Sequence, residues 1–143
     1  MMARADLPDC EHLVRYVGRD KQRTDADGQT VGVQWFAFDL RPGEPYLSVN
    51  CLERAHAVRA KALQAIRDAL RKKNLRGALA VLTVGKVERI KAVFLPAKIR
   101  TLHEGTADDP SYGAVRKLPL ERRVALEKLA AEEWCDWVML KNV

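Results

Sequence analysis

The stretch YLSVNCLERAHAVRA, residues 46–60, decides the fold because a strand pattern gives way to a helix pattern inside it. Over 46–51 apolar and polar residues alternate, which is the period of two of a half-exposed strand. Over about 52–74 the apolar residues recur at helical spacing and fall within one broad arc of a helical wheel. The stretch therefore predicts a strand, paired with the strand before it, that leads directly into a long helix.

The junction between the two patterns carries a helix-start signal. Asn50 is followed three residues later by Glu53, which matches the spacing of a capping box with Asn in the cap position. Cys51 alternates inward with the apolar strand residues and is predicted to be a small core residue. We predict that Asn50 or an immediate neighbour caps the helix, so that Asn50→Ala lowers stability by roughly 1 kcal/mol.

Working outward, apolar and aromatic runs predict further strands and one more helix. The predicted strands are Glu11–Val17, Val31–Leu40, Ala78–Val84 and Arg89–Leu95, the predicted loops are 19–32, 41–44 and 101–113, and the last helix begins near Pro119. Residues 135–141 fit either an extension of that helix or a closing strand, with Trp and Val favouring a strand. The sequence as a whole predicts an α+β protein with a single domain over 1–143. Its sheet is mixed or mostly antiparallel, with about five to six strands and two main helices.

Composition narrows the class of protein. Hydrophobic residues make up 48% of the 143 residues and charged residues 31%, which is typical of a soluble globular domain. No apolar run approaches the roughly 20 residues of a membrane span, and the first residues contain no export signal. These features predict a cytoplasmic protein without a membrane partner, and they leave its oligomeric state open.

The positive charge is concentrated in one segment. Residues 52–76 contain eight basic and two acidic residues, which accounts for the whole net charge of +6. A basic helix over about 52–76 indicates an anionic partner, either a nucleic acid or an acidic protein surface. The residues predicted to make this contact are Lys61, Arg67, Arg71 and Lys72. No aromatic residue lies between Cys51 and Phe94, which argues against a single-strand stacking platform centred on the helix.

Arg59 does not fit a simple surface role. On the helical wheel it lies inside the apolar arc, where a guanidinium must reach solvent or meet an anion. One interpretation is an internal salt bridge with Glu44 or Asp39. The other is an anion-binding arginine beside Ser48 and Asn50.

Neither a metal nor a cofactor is predicted. Cys10, His12, Cys51 and His56 are metal-ligand types, but their spacing is not one used by zinc sites. Glycine-rich phosphate loops of the Walker or dinucleotide type are absent from the sequence. The three cysteines are widely spaced and are predicted to be free thiols.

Two blocks carry a resemblance to known proteins. HLVRYV…FDLRPGEPYLSVNCLE and DDPSYGAV…LEKLAAEEW are similar to a group of uncharacterised small bacterial proteins with an LSVNxLE-like block and a later NPSH-like block. The resemblance spans most of the chain and implies a bacterial protein but no particular activity. Tyr112 stands where the later block of that group has His.

The competing class is an enzyme that acts on a nucleotide-like substrate. Arg15, Tyr46, Ser48 and Glu53 can be laid onto the outline of ADP-ribosyltransferase-like toxins, and a nuclease-like toxin or defence component belongs to the same class. The residues that would carry catalysis are Arg15, Ser48, Arg59 and His103. His103 lies in a long polar loop, and such loops often carry functional groups.

Overall fold

The computed structural model describes residues 5–39, 46–93, 100–116, 123–131 and 134–143, with the backbone alone over 90–93 and 123–125. The strands are β1 (Ala5–Asp6), β2 (His12–Val17), β3 (Gln22–Thr24), β4 (Thr30–Val33), β5 (Tyr46–Cys51), β6 (Ala78–Thr83), β7 (Arg100–His103), β8 (Tyr112–Arg116) and β9 (Cys135–Met139). The α-helices are α1 (Leu52–Ala55), α2 (Arg59–Leu70), α3 (Val84–Val93) and α4 (Arg123–Ala130), and 3₁₀ turns occupy Arg19–Lys21, Trp35–Phe38 and Leu140–Asn142. No helix in these ranges is long and apolar enough to cross a membrane.

Seven strands form one sheet in the order β1-β7-β8-β5-β2-β6-β9, and each neighbouring pair is antiparallel. Strands β3 and β4 form a separate two-stranded hairpin. The predicted α+β class and antiparallel sheet are therefore confirmed. The expected five to six strands and two main helices are wrong, because the described residues contain a seven-stranded sheet, a second hairpin and four helices.

Both faces of the main sheet are covered at its centre. One face, which we call the core face, carries Leu13 and Leu82 and packs against the 3₁₀ turn at Trp35–Phe38 and against α4. The other, which we call the helix face, carries Val14 and Val81 and packs against α2 and Leu140. Strand β6, which lies between β2 and β9, is buried on both faces, which is why its sequence is apolar without alternation.

Three predicted strands are confirmed within one residue: β2, β5 and β6. The choice left open over 135–141 is resolved as strand β9. The last helix is confirmed as α4, while Pro119 and the predicted turn at 41–44 lie outside the described residues. The pairing of β5 with the strand before it in sequence is wrong. Its neighbours in the sheet are β2 and β8.

Four predicted elements are wrong. The predicted loop at 19–32 contains β3 and most of β4. Val31–Leu40 is a short strand followed by a 3₁₀ turn, whose Ala37 and Phe38 are buried. Arg89–Leu95 is not a strand where it is described, because α3 continues to Val93. The predicted loop at 101–113 instead contains most of β7 and the start of β8. Short apolar runs fit helix and strand alike, so tertiary packing decides between them.

The long helix predicted over about 52–74 is two helices. His56 has extended backbone angles, with φ −167° and ψ 153°, and its Nδ1 accepts a hydrogen bond from the Val58 N–H at 2.9 Å. A second helix, α2, begins at Arg59 and ends where Arg71 adopts a left-handed conformation with φ 54°. The basic segment therefore changes direction near its start, and its final cations lie beyond the helix.

The predicted capping box is also wrong. Cys51 occupies the position before α1, and no side chain bonds the helix start. Glu53 instead accepts hydrogen bonds from His12, at 2.7 Å from its backbone N–H and 2.8 Å from Nδ1. Asn50 is committed to a different network, described below, because β5 and β8 bring distant acceptors next to it.

Candidate functional site

The helix face has a covered half and an open half. Helix α2 packs over β2, β6 and β9, while no described helix covers β5 and β8 on this face. The register pairs Asn50 with Tyr112 and Tyr46 with Arg116, so these side chains lie on the same face. Ser48 lies between them by strand alternation. We call this polar and aromatic surface the open half: Tyr46, Ser48, Asn50, Tyr112 and Arg116.

A cleft of about 500 Å³ separates the end of α2 from the open half. Its volume falls within the range of about 300–1,000 Å³ that is usual for small-molecule sites. The polar residues that line it come from five segments: Arg15 and Tyr16, Asp20 and Lys21, Ser48 and Asn50, Lys72, and Asp109 and Tyr112. The cleft therefore joins the basic segment to the open half.

The cleft exists because β2 and β5 separate along their length. Their paired residues are Leu13 with Cys51 and Val14 with Asn50. Beyond that point, Arg15 bridges the two strands: Nη1 donates to the Ser48 carbonyl at 2.7 Å, and Nε donates to the Ala37 carbonyl at 3.1 Å. Arg15 thus replaces missing ladder bonds and positions β5, which is a structural contribution to the site.

A chain of hydroxyl groups runs along the open half. Tyr112 Oη lies 3.2 Å from Ser48 Oγ and 3.2 Å from Tyr46 Oη. Burial raises the pKa of Tyr112; the hydrogen bond with Ser48 lowers it, and Tyr46 raises it further. Tyr112 is therefore a neutral phenol at physiological pH, able to donate or accept. Arg116 stacks on Tyr46, with Cζ 4.5 Å from the ring centroid.

Asn50 forms a buried polar network with the turn before β8. Its Nδ2 donates to the Asp109 carboxylate at 3.0 and 2.8 Å and to Ser111 Oγ at 2.8 Å. Ser111 Oγ in turn donates to Asp109 Oδ1 at 3.0 Å. Asn50 is 3% exposed, and burial of this kind is tolerated because the donors are satisfied. The network fixes both Asn50 and the β8 turn at the edge of the cleft.

The basic end of α2 forms one wall. Lys72 Nζ lies 4.7 Å from the Tyr16 ring centroid, a cation–π geometry. Lys72 also lines a second hollow of about 790 Å³ together with Arg71 and Lys73. Lys21 approaches the cleft from the opposite side. We call these four cations the basic rim: Lys21, Arg71, Lys72 and Lys73.

The four residues predicted to bind an anionic partner are not equivalent. Arg71 and Lys72 belong to the basic rim. Arg67 lines the second hollow, but its Nη1 donates to the carbonyls of Leu140 and Val143 at 3.1 and 3.2 Å, which ties α2 to the C-terminal segment. Lys61 is exposed in the first turn of α2, about 14 Å from the helix end at Leu70 at 1.5 Å per residue.

The residues predicted for catalysis do not converge. Arg15 meets Ser48, but through the backbone carbonyl. His103 pairs with Gly113 on the core face, and its Nε2 lies 2.7 Å from the Pro110 carbonyl. Arg59 lies in the first turn of α2, at the end opposite the cleft.

Arg59 is not inside an apolar surface. Its side chain is 51% exposed and lies 3.6 Å from Asp136, a residue that the sequence reasoning did not consider as a partner. The break at 56–58 shifts the helical wheel, so an arc drawn through one continuous helix misplaces this residue. The Asp39 partner is not observed, and Glu44 lies outside the described residues.

The cysteine and histidine residues are dispersed. Cys10 is exposed, whereas Cys51 and Cys135 are buried, and all three are free thiols. Burial raises the pKa of both buried thiols to about 12. In the part of the chain that the structure describes, no three His, Cys, Asp or Glu side chains are grouped closely enough to hold a metal ion.

Comparisons with protein-family models, curated proteins and solved structures found no match. The site must therefore be interpreted from its own geometry. The sequence reasoning missed that Tyr46 and Tyr112 meet on the helix face, where Tyr16 also lies, because Tyr46 and Tyr112 are 66 positions apart. The available signal was the alternation of Tyr46, Ser48 and Asn50 on the exposed side of β5.

Proposed function

We propose that this protein binds single-stranded nucleic acid across the cleft, with the basic rim on the phosphates and the open half on the bases. One observation carries the proposal: two cations, Lys21 and Lys72, and two tyrosines, Tyr16 and Tyr112, line the same cleft. Single-strand binding surfaces combine a positive groove that follows the backbone with aromatic side chains on which bases stack. Both parts are present here, on adjacent elements.

Two cations of the basic rim, Arg71 and Lys73, are available for such a contact. Arg54 and Arg59, nearer the start of the basic segment, are paired with Glu11 and Asp136. Within the described residues, no acid pairs with Arg71 or Lys73. Cations at a helix C-terminus also interact favourably with the helix dipole, but that effect is confined to the last turn. Arg71 and Lys73 lie past the helix, where they can reach a phosphate backbone.

The tyrosines support a single strand over a duplex. Arg116 covers one face of the Tyr46 ring, and Lys72 covers one face of the Tyr16 ring. Tyr112 is therefore the main ring available for stacking beside the cleft. Bases are accessible for such stacking only where they are unpaired. A sheet face with a phenol flanked by hydroxyls and an amide therefore fits a splayed base better than a closed helix.

The test is a fluorescence-anisotropy titration at two salt concentrations. The probes are a labelled single-stranded RNA, the corresponding single-stranded DNA, a duplex and an acidic polypeptide. We expect single strands to bind more tightly than the duplex, and Tyr112→Ala to weaken their binding by about 1–3 kcal/mol, while Tyr112→Phe retains most of it. Tighter binding of the acidic polypeptide would contradict the proposal and favour a protein partner.

Two charge reversals separate a specific contact from general electrostatics. Lys73→Glu alters the basic rim, and Lys61→Glu makes the same charge change on the same segment but away from the cleft. Lys73→Glu should weaken binding and reduce the slope of log K against log salt by about 0.7 for each lost phosphate contact. Lys61→Glu should have a smaller effect on both. Equal losses in the two variants would place the phosphate path elsewhere on the basic segment.

A further inference from the structure

The amide of Asn50 has a fixed orientation. Its Nδ2 faces both carboxylate oxygens of Asp109, and a carboxylate accepts hydrogen bonds but does not donate them. The reversed orientation would place the amide oxygen against that carboxylate. Ser111 reinforces the arrangement, because its hydroxyl donates to Asp109 and therefore accepts from Asn50. The chemistry of the neighbours, rather than the similar shape of the two amide atoms, assigns Oδ1 and Nδ2.

The amide oxygen Oδ1 of Asn50 is available to accept a hydrogen bond from a molecule bound in the cleft. Asn50 lines the cleft, and no described residue donates a hydrogen bond to Oδ1. Of the polar side chains beside it on the open half, Ser48 and Tyr112 carry hydroxyls that can turn to donate or accept. Asn50 differs from them, because its amide is held in one orientation and its Oδ1 can only accept a hydrogen bond. A ligand group placed against it must be a donor.

We infer that the cleft distinguishes bases, favouring cytosine or adenine, whose amino group lies where uracil has a carbonyl, over uracil. The amino groups of cytosine and adenine donate, whereas the matching position of a uracil or thymine ring is a carbonyl acceptor. A uracil carbonyl against Asn50 Oδ1 would leave two acceptors facing each other without a proton between them. This inference rests on the proposed single-strand binding and names its base preference.

Asp109 is the positioning residue for this preference. It touches Asn50 and also lines the cleft, but its effect on specificity is to hold the amide in one orientation. Asp109→Asn keeps the size of the side chain and supplies both a donor and an acceptor, so Asn50 becomes free to turn. Specificity should then fall more than affinity. Asp108→Asn removes the same charge one residue away, at an exposed position, and is the matched control.

The experiment compares labelled oligocytidine, oligoadenosine and oligouridine of equal length, with Kd values from anisotropy at one salt concentration. For the wild type, we expect oligocytidine to bind about tenfold more tightly than oligouridine, the factor that corresponds to one well-placed hydrogen bond. Asp109→Asn should bring the two Kd values to within about twofold. Asp108→Asn should keep the wild-type ratio. Circular dichroism on each variant checks that it is folded.

The outcomes separate the inference from the function on which it rests. Equal binding of all three oligonucleotides by the wild type, or tighter binding of oligouridine, overturns the base preference and leaves single-strand binding intact. Failure of all three to bind overturns both. The wild-type comparison needs no variant, so it decides the question even if Asp109→Asn does not fold. A preference that persists in folded Asp109→Asn would also contradict the role assigned to the Asn50 amide.

Discussion

The two halves of the helix face are built from the same sheet but are used differently. In the covered half, Val14, Leu79 and Val81 meet Ala62 and Ile66 of α2, and these five side chains are at most 4% exposed. In the open half, the helix-face positions of β5 and β8 carry hydroxyl, amide and guanidinium groups, apart from buried Ala114. Burial of apolar area stabilises the first half, and hydrogen bonds between side chains organise the second.

The contrast separates stability from recognition on one surface. A sheet needs apolar contact on its faces to be stable, and α2 provides it for β2, β6 and β9. The core face supplies it for β5 and β8, where Leu47 and Val115 are 1% exposed. The other side of these two strands, apart from buried Ala114, can therefore hold polar groups at fixed positions. Each half predicts a different response to substitution.

The largest effect should come from the covered half. Ile66 is 0% exposed, so Ile66→Ala should lower the free energy of unfolding by about 2–5 kcal/mol through lost burial and a residual cavity. Ser48→Ala, in the open half, should cost about 1 kcal/mol or less because one hydrogen bond to Tyr112 is lost. Urea denaturation of both variants measures the difference. Equal losses would remove the distinction between the halves.

The next effect tests how rigidly the open half is built. Asn50→Ala removes the donors that satisfy Asp109 and Ser111, and we expect a loss of about 2–3 kcal/mol because a partly buried carboxylate loses its partners. A helix cap alone would account for about 1 kcal/mol. The control is Asn74→Ala, which removes one exposed bond to the Arg76 N–H. If the two asparagine variants unfold at the same urea concentration, the Asn50 network is not a stabilising unit.

A smaller effect is expected at the rim of the covered half. The Arg59–Asp136 pair is exposed and 3.6 Å long, so Arg59→Ala should change stability by less than about 1 kcal/mol. A double-mutant cycle with Asp136→Ala measures the coupling between the two residues. A coupling well above 1 kcal/mol would mean that Arg59 is part of the packed half after all.

Thiol labelling compares the two sides of β5 without a change in stability. Cys51 lies on the core side of the strand, where burial raises its pKa to about 12. Burial also raises the pKa of Cys135 to about 12. The thiolate is the reactive form of a cysteine. In the native protein, we therefore expect only the exposed Cys10 to react at neutral pH, whereas all three thiols should react after denaturation. Cys10→Ser should abolish native labelling. Rapid labelling of Cys51 in the native protein would show that the core side is open.

The sequence correctly predicted those elements whose type is determined by a short run of neighbouring residues. The alternation over 46–51 identified β5 to the residue, since a period of two is visible in six residues. Residues 89–93 were wrongly predicted as a strand because Ile and Val are compatible with helix or strand, and the packing of α3 beside β6 and β7 settles the choice. No proline or glycine marks the break at His56 in the sequence. A helical wheel drawn through the break therefore placed Arg59 on the wrong side of the helix.

The cleft could be predicted only in part. Its basic wall follows from the charge count over 52–76, and its β5 residues follow from alternation. Its other side depends on β8, and the contact between Ser48 and Tyr112 joins positions 64 residues apart. A helical wheel and a strand pattern describe single elements, whereas the order β8-β5-β2 is a property of the whole sheet. The capping role proposed for Asn50 failed for the same reason, because Asp109 is 59 positions away.

The most direct test of the account is to locate a bound single strand on the two halves. Backbone amide resonances of the ¹⁵N-labelled protein are followed by NMR during titration with oligocytidine. We predict shift changes concentrated in 46–51, 112–116 and 71–73, with little change in β6 and β9. Changes confined to the start of α2 around Lys61, or spread evenly over the basic segment without any in β5 and β8, would contradict the claim that the open half and the basic rim form one binding site.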